Sequence, residues 1–292
     1  MGTAGFASTP NGVAAIRPYD APMLAAVRLV HPAPALAVTA LSAALGAIVL
    51  AQAGQPIGAG WVMTVAAVAG SQIFVGATND LVDRNRDTAA GRLEKPLAGG
   101  SASPGTAVWV ASFGLALLVA ASLRLGGDFL VLGLAATGSA LAYNLWLSRT
   151  PVSVVPYLVS FGILPIWVAT GVGVEVGRVA VAPFLVAPFA AAAHLANVLR
   201  DFDGDAALGS RSLAHVLGRE ASFRVAWGLA LAVGLAVGAL LLAAGTAQAP
   251  AVALGAIGVV AVAQGIRGPD ALWRGMLVAA VCWTAAWALA TG

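Results

Sequence analysis

The chain has 292 residues, of which 60% are apolar and 9% are charged, and its formal net charge is +3. Soluble domains carry roughly a quarter charged residues, so this composition excludes a soluble globular protein. The small net charge, without a basic stripe, excludes a nucleic-acid-binding protein. The single cysteine, Cys282, excludes an internal disulfide and a cysteine metal cluster.

The N-terminal segment, residues 1–30, never gathers an apolar stretch behind a basic start, so we expect no signal peptide in it. We expect this segment to be a short, disordered cytoplasmic tail. The remainder of the chain, residues 31–292, is predicted to form a single transmembrane domain.

Nine apolar runs follow, each long enough to cross roughly 30 Å of hydrocarbon as a helix. None shows the alternating ten-residue pattern that a membrane β-barrel requires. The sequence therefore predicts an all-α integral membrane protein, a bundle of about nine transmembrane helices around a central cavity. Glycine and proline interruptions leave counts of eight and ten open. The predicted spans are 34–51, 61–78, 106–123, 129–147, 152–172, 179–198, 223–244, 250–264 and 272–290.

Positive side chains are distributed unevenly between the two ends of these helices. With the N-terminus in the cytoplasm, thirteen of the fifteen lysines and arginines are cytoplasmic, and only Arg124 and Arg178 lie on the other side. This excess is typical of cytoplasmic connections. We expect an integral protein of the cell (plasma) membrane, with its N-terminus and both acidic connections cytoplasmic. The preference for arginine over lysine, with abundant alanine, glycine and valine, indicates a GC-rich bacterial genome.

Acidic residues concentrate in two of the cytoplasmic connections, and the first of these contains Asn79, Asp80, Asp83 and Asp87. If the second helix continues into the cytoplasm, this spacing places the four side chains on one face, where like charges repel. A cation is then needed, and oxygen ligands favour a hard one such as Mg²⁺. A solvated acidic surface is the alternative for either connection taken alone.

The second connection repeats the pattern with Asn197, Asp201 and Asp205 at the end of the predicted sixth helix. Asp203 is expected to point away from the face that these side chains share. Mg²⁺ usually binds through a few carboxylates together with substrate phosphates. Two facing carboxylate clusters therefore predict a phosphate-bearing ligand between them, and a diphosphate is the natural candidate.

The first connection resembles a signature of the UbiA-type membrane prenyltransferases. Residues 79–87 match the family pattern Asn-Asp-x-x-Asp-x-x-x-Asp at every fixed position. Residues 95–99, Lys-Pro-Leu-Ala-Gly, resemble the Arg-Pro-Leu and glycine continuation, with Lys95 in place of arginine.

Two further segments carry the same resemblance. Residues 197–205 are similar to the second signature, Asn-x-x-Arg-Asp-x-x-x-Asp, and residues 209–213 to its continuation, with Ser212 in place of threonine. Residues 143–149 resemble the third conserved loop, in which a basic residue faces the diphosphate. With nine helices and both connections in place, the resemblance covers nearly the whole chain.

The resemblance implies a Mg²⁺-dependent transferase that ionises an allylic prenyl diphosphate. The prenyl group would pass to an aromatic or other lipophilic acceptor, within membrane lipids and with release of diphosphate. Asp83 and Asp201 would be its catalytic carboxylates. The metal ligands that it implies are Asn79, Asp80, Asp83, Asp87, Asp201 and Asp205. The implied diphosphate-binding residues are Lys95, Arg149, Arg200 and Arg211. The candidates for the pocket are Asn197, His194 and Tyr143.

Two other functions are alternatives to the transferase. A membrane terpene cyclase would use the same metal loops and capture the cation with a double bond of the same prenyl chain, so this alternative stays open. A cation transporter would carry ionisable groups near the bilayer midplane. Here the predicted helices are almost free of such groups apart from His194, which favours the transferase over the transporter.

Overall fold

The computed structural model describes residues 22–243 and 249–291. Within these ranges every regular element is a helix, and three of the helices are short 3-10 turns. The 3-10 turns are Leu147–Arg149, Val176–Val179 and Gln264–Arg267. The α-helices are α1 (Pro22–Leu29), α2 (Pro32–Gln52), α3 (Ala59–Ala89), α4 (Pro104–Leu123), α5 (Gly127–Leu145), α6 (Val155–Val172), α7 (Pro183–Arg200), α8 (Phe202–Ala207), α9 (Leu213–Leu217), α10 (Arg219–Ala243), α11 (Ala249–Ala263) and α12 (Pro269–Thr291).

Nine helices of the described chain are long and apolar enough to cross a membrane. They are α2 to α7, α10, α11 with the 3-10 turn after it, and α12. This confirms the nine predicted spans. Large apolar side chains such as Trp109 and Phe184 are exposed on these helices. Such a surface suits contact with hydrocarbon, where exposed apolar side chains carry no penalty.

The spans pack in chain order into a closed bundle. Each of α2 to α7 contacts the next, α10 packs on α7, and α11 lies between α10 and α12. Helix α12 contacts both α7 and α2, so the last span returns to the first. Helices α3, α7 and α12 therefore belong to the same bundle.

Helix α3 has 31 residues and is therefore about 46 Å long at 1.5 Å per residue. The hydrocarbon core is roughly 30 Å thick, so about a third of this helix extends beyond it. The extension carries the first acidic motif, Asn79 to Asp87. This agrees with the expectation that the second span continues past the membrane as a helix.

Glycines let α3 and α4 approach at backbone contact. A Cβ added at Gly70 would lie 2.6 Å from the Gly114 carbonyl oxygen, and one added at Gly114 would lie 2.6 Å from the Phe74 nitrogen. Real Cβ contacts are never this short, so both positions require glycine. Small residues at helix interfaces are the main way in which membrane helices pack closely. The contact fixes α3 two turns before its acidic motif begins.

The structure differs from the sequence prediction at residues 22–29, which were expected to belong to a disordered tail. They form α1, whose Ala25 and Leu29 are buried, and Leu29 packs against Leu97 and Ala107. Eight residues are too few to cross the membrane, so the sequence shows no transmembrane pattern here. The buried side of this short helix packs on α3 and α4. Residues 1–21 of the predicted tail lie outside the described residues.

Candidate active site

The two acidic motifs meet at one end of the bundle, which we call the motif end. The Arg92 guanidinium lies between them, 3.3 Å from the Asp87 carboxylate of the first motif and 3.3 Å from the Asp205 carboxylate of the second. Arg86 adds a second link, because it donates a hydrogen bond of 3.3 Å to the Asp205 carbonyl. The carboxylates of α3 and α8 therefore face one another across shared cations.

Two carboxylates of the first motif are almost completely buried and share one lysine. The side chains of Asp80 and Asp87 are 1% and 2% exposed, and the Lys95 ammonium lies 3.4 Å and 2.8 Å from them. Burial lowers the pKa of Lys95. The hydrogen bond to Asp87 and the charges of Asp80, Asp87 and Asp83 outweigh this effect, so its pKa is raised overall. Lys95 therefore remains a cation that neutralises both buried groups.

His31 is a second partner of Asp80, with Nε2 2.8 Å from Oδ1. His31 lies in the turn between α1 and α2. Its backbone is in the left-handed region, at φ 53°. The other oxygen of Asp80, Oδ2, is buried and has no hydrogen-bond partner among the described residues. A buried carboxylate oxygen without a partner is costly, so it marks a place where a ligand would be stabilising.

Asp83 is held by one residue of another element and by one residue of its own helix. The Arg149 guanidinium is 2.7 Å from its Oδ1, and the Asn79 amide donates to its Oδ2 over 3.4 Å. Asn79 also donates to Asn144 at the end of α5, over 3.3 Å. The backbone N–H of Arg211 donates to the carbonyl of Arg149, over 3.0 Å, which joins the second motif to the loop between α5 and α6.

The second motif is not the continuous helix that its spacing indicates. Helix α7 ends at Arg200, Asp201 stands at the break, and Asp205 belongs to α8. Aspartate is a weak helix former, which favours a helix end at Asp201. Asp203, which is predicted to point away from the face shared by the other motif residues, has a side chain that is 87% exposed and lies 2.7 Å from Arg219.

The predicted diphosphate-binding residues are not all brought together. Lys95 and Arg149 lie among the carboxylates, whereas Arg200 turns to α12, where its Nε donates to Asp270 over 2.9 Å. The side chain of Arg211 is exposed, and so are those of Asn197 and Asp201. Arg86 and Arg92 do lie among the carboxylates, although neither is one of the predicted diphosphate-binding residues. His31 was not predicted either.

The pocket candidates His194 and Tyr143 meet close to the loops of the motif end. His194 stacks on Tyr157 with ring centroids 4.4 Å apart, and Tyr143 meets it edge-on at 5.5 Å. His194 Nε2 lies 3.2 Å from the Ser153 hydroxyl, which accepts a hydrogen bond from the Leu213 N–H. Nδ1 of this buried histidine has no partner among the described residues. The cluster forms an aromatic wall with one free polar atom.

The donor atoms of the site suit a hard cation, although the described side chains do not form a closed metal cage. No three His, Cys, Asp or Glu side chains in the described ranges converge as metal ligands, because Lys95, Arg92 and Arg149 lie between the carboxylates. Mg²⁺ rarely uses an all-protein cage and usually binds one or two carboxylates plus phosphate oxygens. Carboxylate and amide oxygens, with the unpartnered Oδ2 of Asp80, fit such a shared site.

Comparisons with known proteins assign the chain to a protein family. The chain matches the model of the UbiA prenyltransferase family over residues 40–272 and therefore belongs to that family. No curated protein matches the sequence.

Solved structures of low sequence identity share the fold. A UbiA homolog from Aeropyrum pernix K1, in its apo form, is 20% identical with a TM-score of 0.69, over 85% of this chain and 96% of that chain. A UbiA homolog from Archaeoglobus fulgidus, bound to GPP and Mg²⁺, is 17% identical with a TM-score of 0.69, over 91% and 99%. A digeranylgeranylglyceryl phosphate synthase structure is 15% identical with a TM-score of 0.67, over 92% and 99%. The chain is thus an all-α integral membrane protein.

Proposed function

We propose that this chain is an intramembrane prenyltransferase that moves the prenyl group of an allylic prenyl diphosphate to an aromatic or other lipophilic acceptor and releases diphosphate. The observation that carries the proposal is the meeting of the two acidic motifs through Arg92, between Asp87 and Asp205. Membership of the UbiA family supports it, as does the Archaeoglobus fulgidus homolog bound to GPP and Mg²⁺.

The first task of the site is to hold the diphosphate. Lys95 and Arg149 supply positive charge, and Arg92 and Arg86 extend it toward α8. Hydrogen bonds from such cations to phosphate oxygens are charge-assisted, and arginine makes them in pairs. Mg²⁺, held by Asn79 and the carboxylates of both motifs, would supply Lewis-acid stabilisation of the departing diphosphate. The ligands that we propose for it are Asn79, Asp80, Asp83, Asp87, Asp201 and Asp205.

The second task is to protect the product of ionisation. The C–O bond of the donor breaks, its electron pair leaves with the diphosphate, and an allylic carbocation remains. Water would quench this cation, so the reacting carbon has to lie on the apolar side of the motif end. Tyr143, Tyr157 and His194 form the aromatic wall there. An electron-rich carbon of the acceptor attacks, and its proton passes to the diphosphate or to a nearby base.

The motif end faces the cytoplasm in this proposal, in the plasma membrane of a bacterium. Thirteen of the fifteen lysines and arginines occupy segments at that end or in the N-terminal segment, and Arg124 and Arg178 occupy the opposite end. Water-soluble Mg²⁺ and the diphosphate head group would then enter from the cytoplasm, and the prenyl chain would lie among the spans.

The proposal is tested by identifying products from membranes that contain the full-length chain. Donors of several lengths and a panel of lipophilic acceptors are supplied with Mg²⁺, and products are analysed by mass spectrometry. We expect acceptor-dependent release of diphosphate together with a prenylated acceptor. A cyclic hydrocarbon or alcohol formed without acceptor would identify a terpene cyclase instead. Absence of diphosphate release with every donor would refute both enzymes.

Lys95 provides a more specific test of the diphosphate site. Lys95→Met removes a charge-assisted hydrogen bond worth about 1.5 to 3 kcal/mol, so kcat/KM for the donor should fall about 10- to 100-fold. Lys95→Arg, which restores the positive charge and the residue of the family pattern, should retain most of the activity. Steady-state kinetics with varied donor concentration measure both variants. Equal losses in the two variants would contradict a charge-dependent role.

A further inference from the structure

A cleft of about 240 Å³ lies between α11 and α12, apart from the two acidic motifs. Gly275 is buried at its floor, where a Cβ would collide with the Ala261 carbonyl, so the two backbones touch there. The residues that shape the cleft are Ala261, Gln264 and Arg267 on one side and Arg274, Gly275 and Val278 on the other.

The cleft lies at the motif end of the bundle, close to where α12 begins. The Arg200 guanidinium at the end of α7 donates to Asp270 in the first turn of α12, over 2.9 Å, and lies 5.9 Å from the Trp273 ring. Tryptophan and arginine at the end of a span are typical of the interface between hydrocarbon and water. The opening of the cleft is therefore at the level of lipid head groups.

The cleft carries two positive charges that the protein itself does not neutralise. Arg267 and Arg274 both line it and are exposed, and neither forms an ion pair with a carboxylate of the described residues. Asp270 is the only acidic residue between positions 264 and 278, and its carboxylate pairs with Arg200 of α7. A single anion in the cleft could accept hydrogen bonds from both guanidinium groups.

An apolar surface continues from the cleft along the two spans. Val278 lines the cleft itself, and further exposed apolar side chains of α11 and α12 lie within four positions of a lining residue. They are Ile257, Val260, Leu277 and Val281. A free phosphate would use only the arginines, whereas an amphiphile would also cover this apolar surface.

We propose that the cleft binds one anionic phospholipid. Its phosphate pairs with Arg267 and Arg274, and an acyl chain lies against Val278 and Val281. Basic pockets between transmembrane helices at the cytoplasmic side are suited to anionic head groups, to which each arginine contributes attraction. The site is built from residues that the proposed reaction does not use. Its occupancy can therefore be tested whether or not the transferase assignment holds.

The experiment measures lipid retained by the purified full-length protein. Native mass spectrometry compares phosphatidylglycerol with phosphatidylcholine of the same chain length, on the unmodified chain and on the double variant Arg267→Gln, Arg274→Gln. We expect phosphatidylglycerol retention to fall about 10-fold in the variant, with phosphatidylcholine unchanged. The matched control is the double variant Arg124→Gln, Arg178→Gln, which removes the same charge at the opposite end and should leave retention unchanged.

Three outcomes would overturn the proposal. Equal phosphatidylglycerol retention by both double variants would show that the cleft is not the site. Displacement of phosphatidylglycerol from the unmodified chain by excess phosphatidylcholine would show that the head-group charge does not matter. Displacement by millimolar inorganic phosphate would identify a free-anion site. The last two measurements need no variant, so a folding defect in the substituted protein would not affect them.

Discussion

Asp83→Asn and Asp201→Asn should each lower the rate of prenyl transfer by about 100- to 1,000-fold, the usual effect of removing one electrostatic group that acts on a transition state. Asparagine keeps the size of the side chain and removes the charge, so the loss would reflect chemistry and not packing. Asp83 contacts Arg149 and Asn79, and Asp201 stands at the break between α7 and α8. Diphosphate release by membranes with matched amounts of protein is the measurement.

Asp203→Asn is the matched control for these two variants. Asp203 lies two residues from Asp201 and both side chains are exposed, but the carboxylate of Asp203 pairs with Arg219. Exposed ion pairs contribute little to stability, so activity should stay within about threefold of the unmodified chain. If Asp203→Asn were as inactive as Asp201→Asn, the whole second motif would be structural and the assignment of individual carboxylates would be wrong.

Gly114→Val should lower the free energy of unfolding by about 3 kcal/mol or more. Overpacking usually costs less than this, but the atoms that a side chain at Gly114 would meet include the backbone of Phe74 and Gly70, which cannot move aside. Helices α3 and α4 would have to separate, and the first acidic motif would move with α3. The measurement is the midpoint of thermal unfolding of the detergent-solubilised protein, with residual activity at low temperature.

Gly138→Val is the control for this substitution. Gly138 lies within α5 and a Cβ there would meet nothing within 4 Å, so the change adds the same side chain to an open helix surface. Its unfolding midpoint should stay close to that of the unmodified chain. A similar loss of stability in both variants would mean that valine disfavours these helices in general, and that the contact between α3 and α4 is not the cause.

The parts of the fold that could be predicted are those encoded in contiguous stretches of sequence. Nine spans follow from runs of about 20 apolar residues, since few other structures can accommodate such runs. The helical first motif follows from Asn79, Asp83 and Asp87, which are spaced at i, i+4 and i+8. The break at Asp201 had only a weak local signal, because aspartate is a poor helix former but Asp203 and Gly204 lie inside α8.

The parts that could not be predicted depend on which helices become neighbours. His31 and Asp80 are 49 positions apart, and Arg92 and Asp205 are 113 apart, so no local pattern links them. The tryptophans show the same limit. Trp283 is buried where its ring fills the space left by Gly258, and its Nε1 donates to the Gly255 carbonyl over 3.2 Å, a contact between residues of different helices.

The internal ion pairs at the motif end favour binding of Mg²⁺ together with the diphosphate over binding of Mg²⁺ alone. Asp80 and Asp87 already have Lys95 as a counter-ion, and Asp83 has Arg149. A divalent ion that entered alone would displace these side chains and leave them with no acceptor. An ion that arrives together with a diphosphate gives every displaced cation a phosphate oxygen instead. We therefore expect the resting protein to be nearly indifferent to free Mg²⁺ and selective for its complex with the donor.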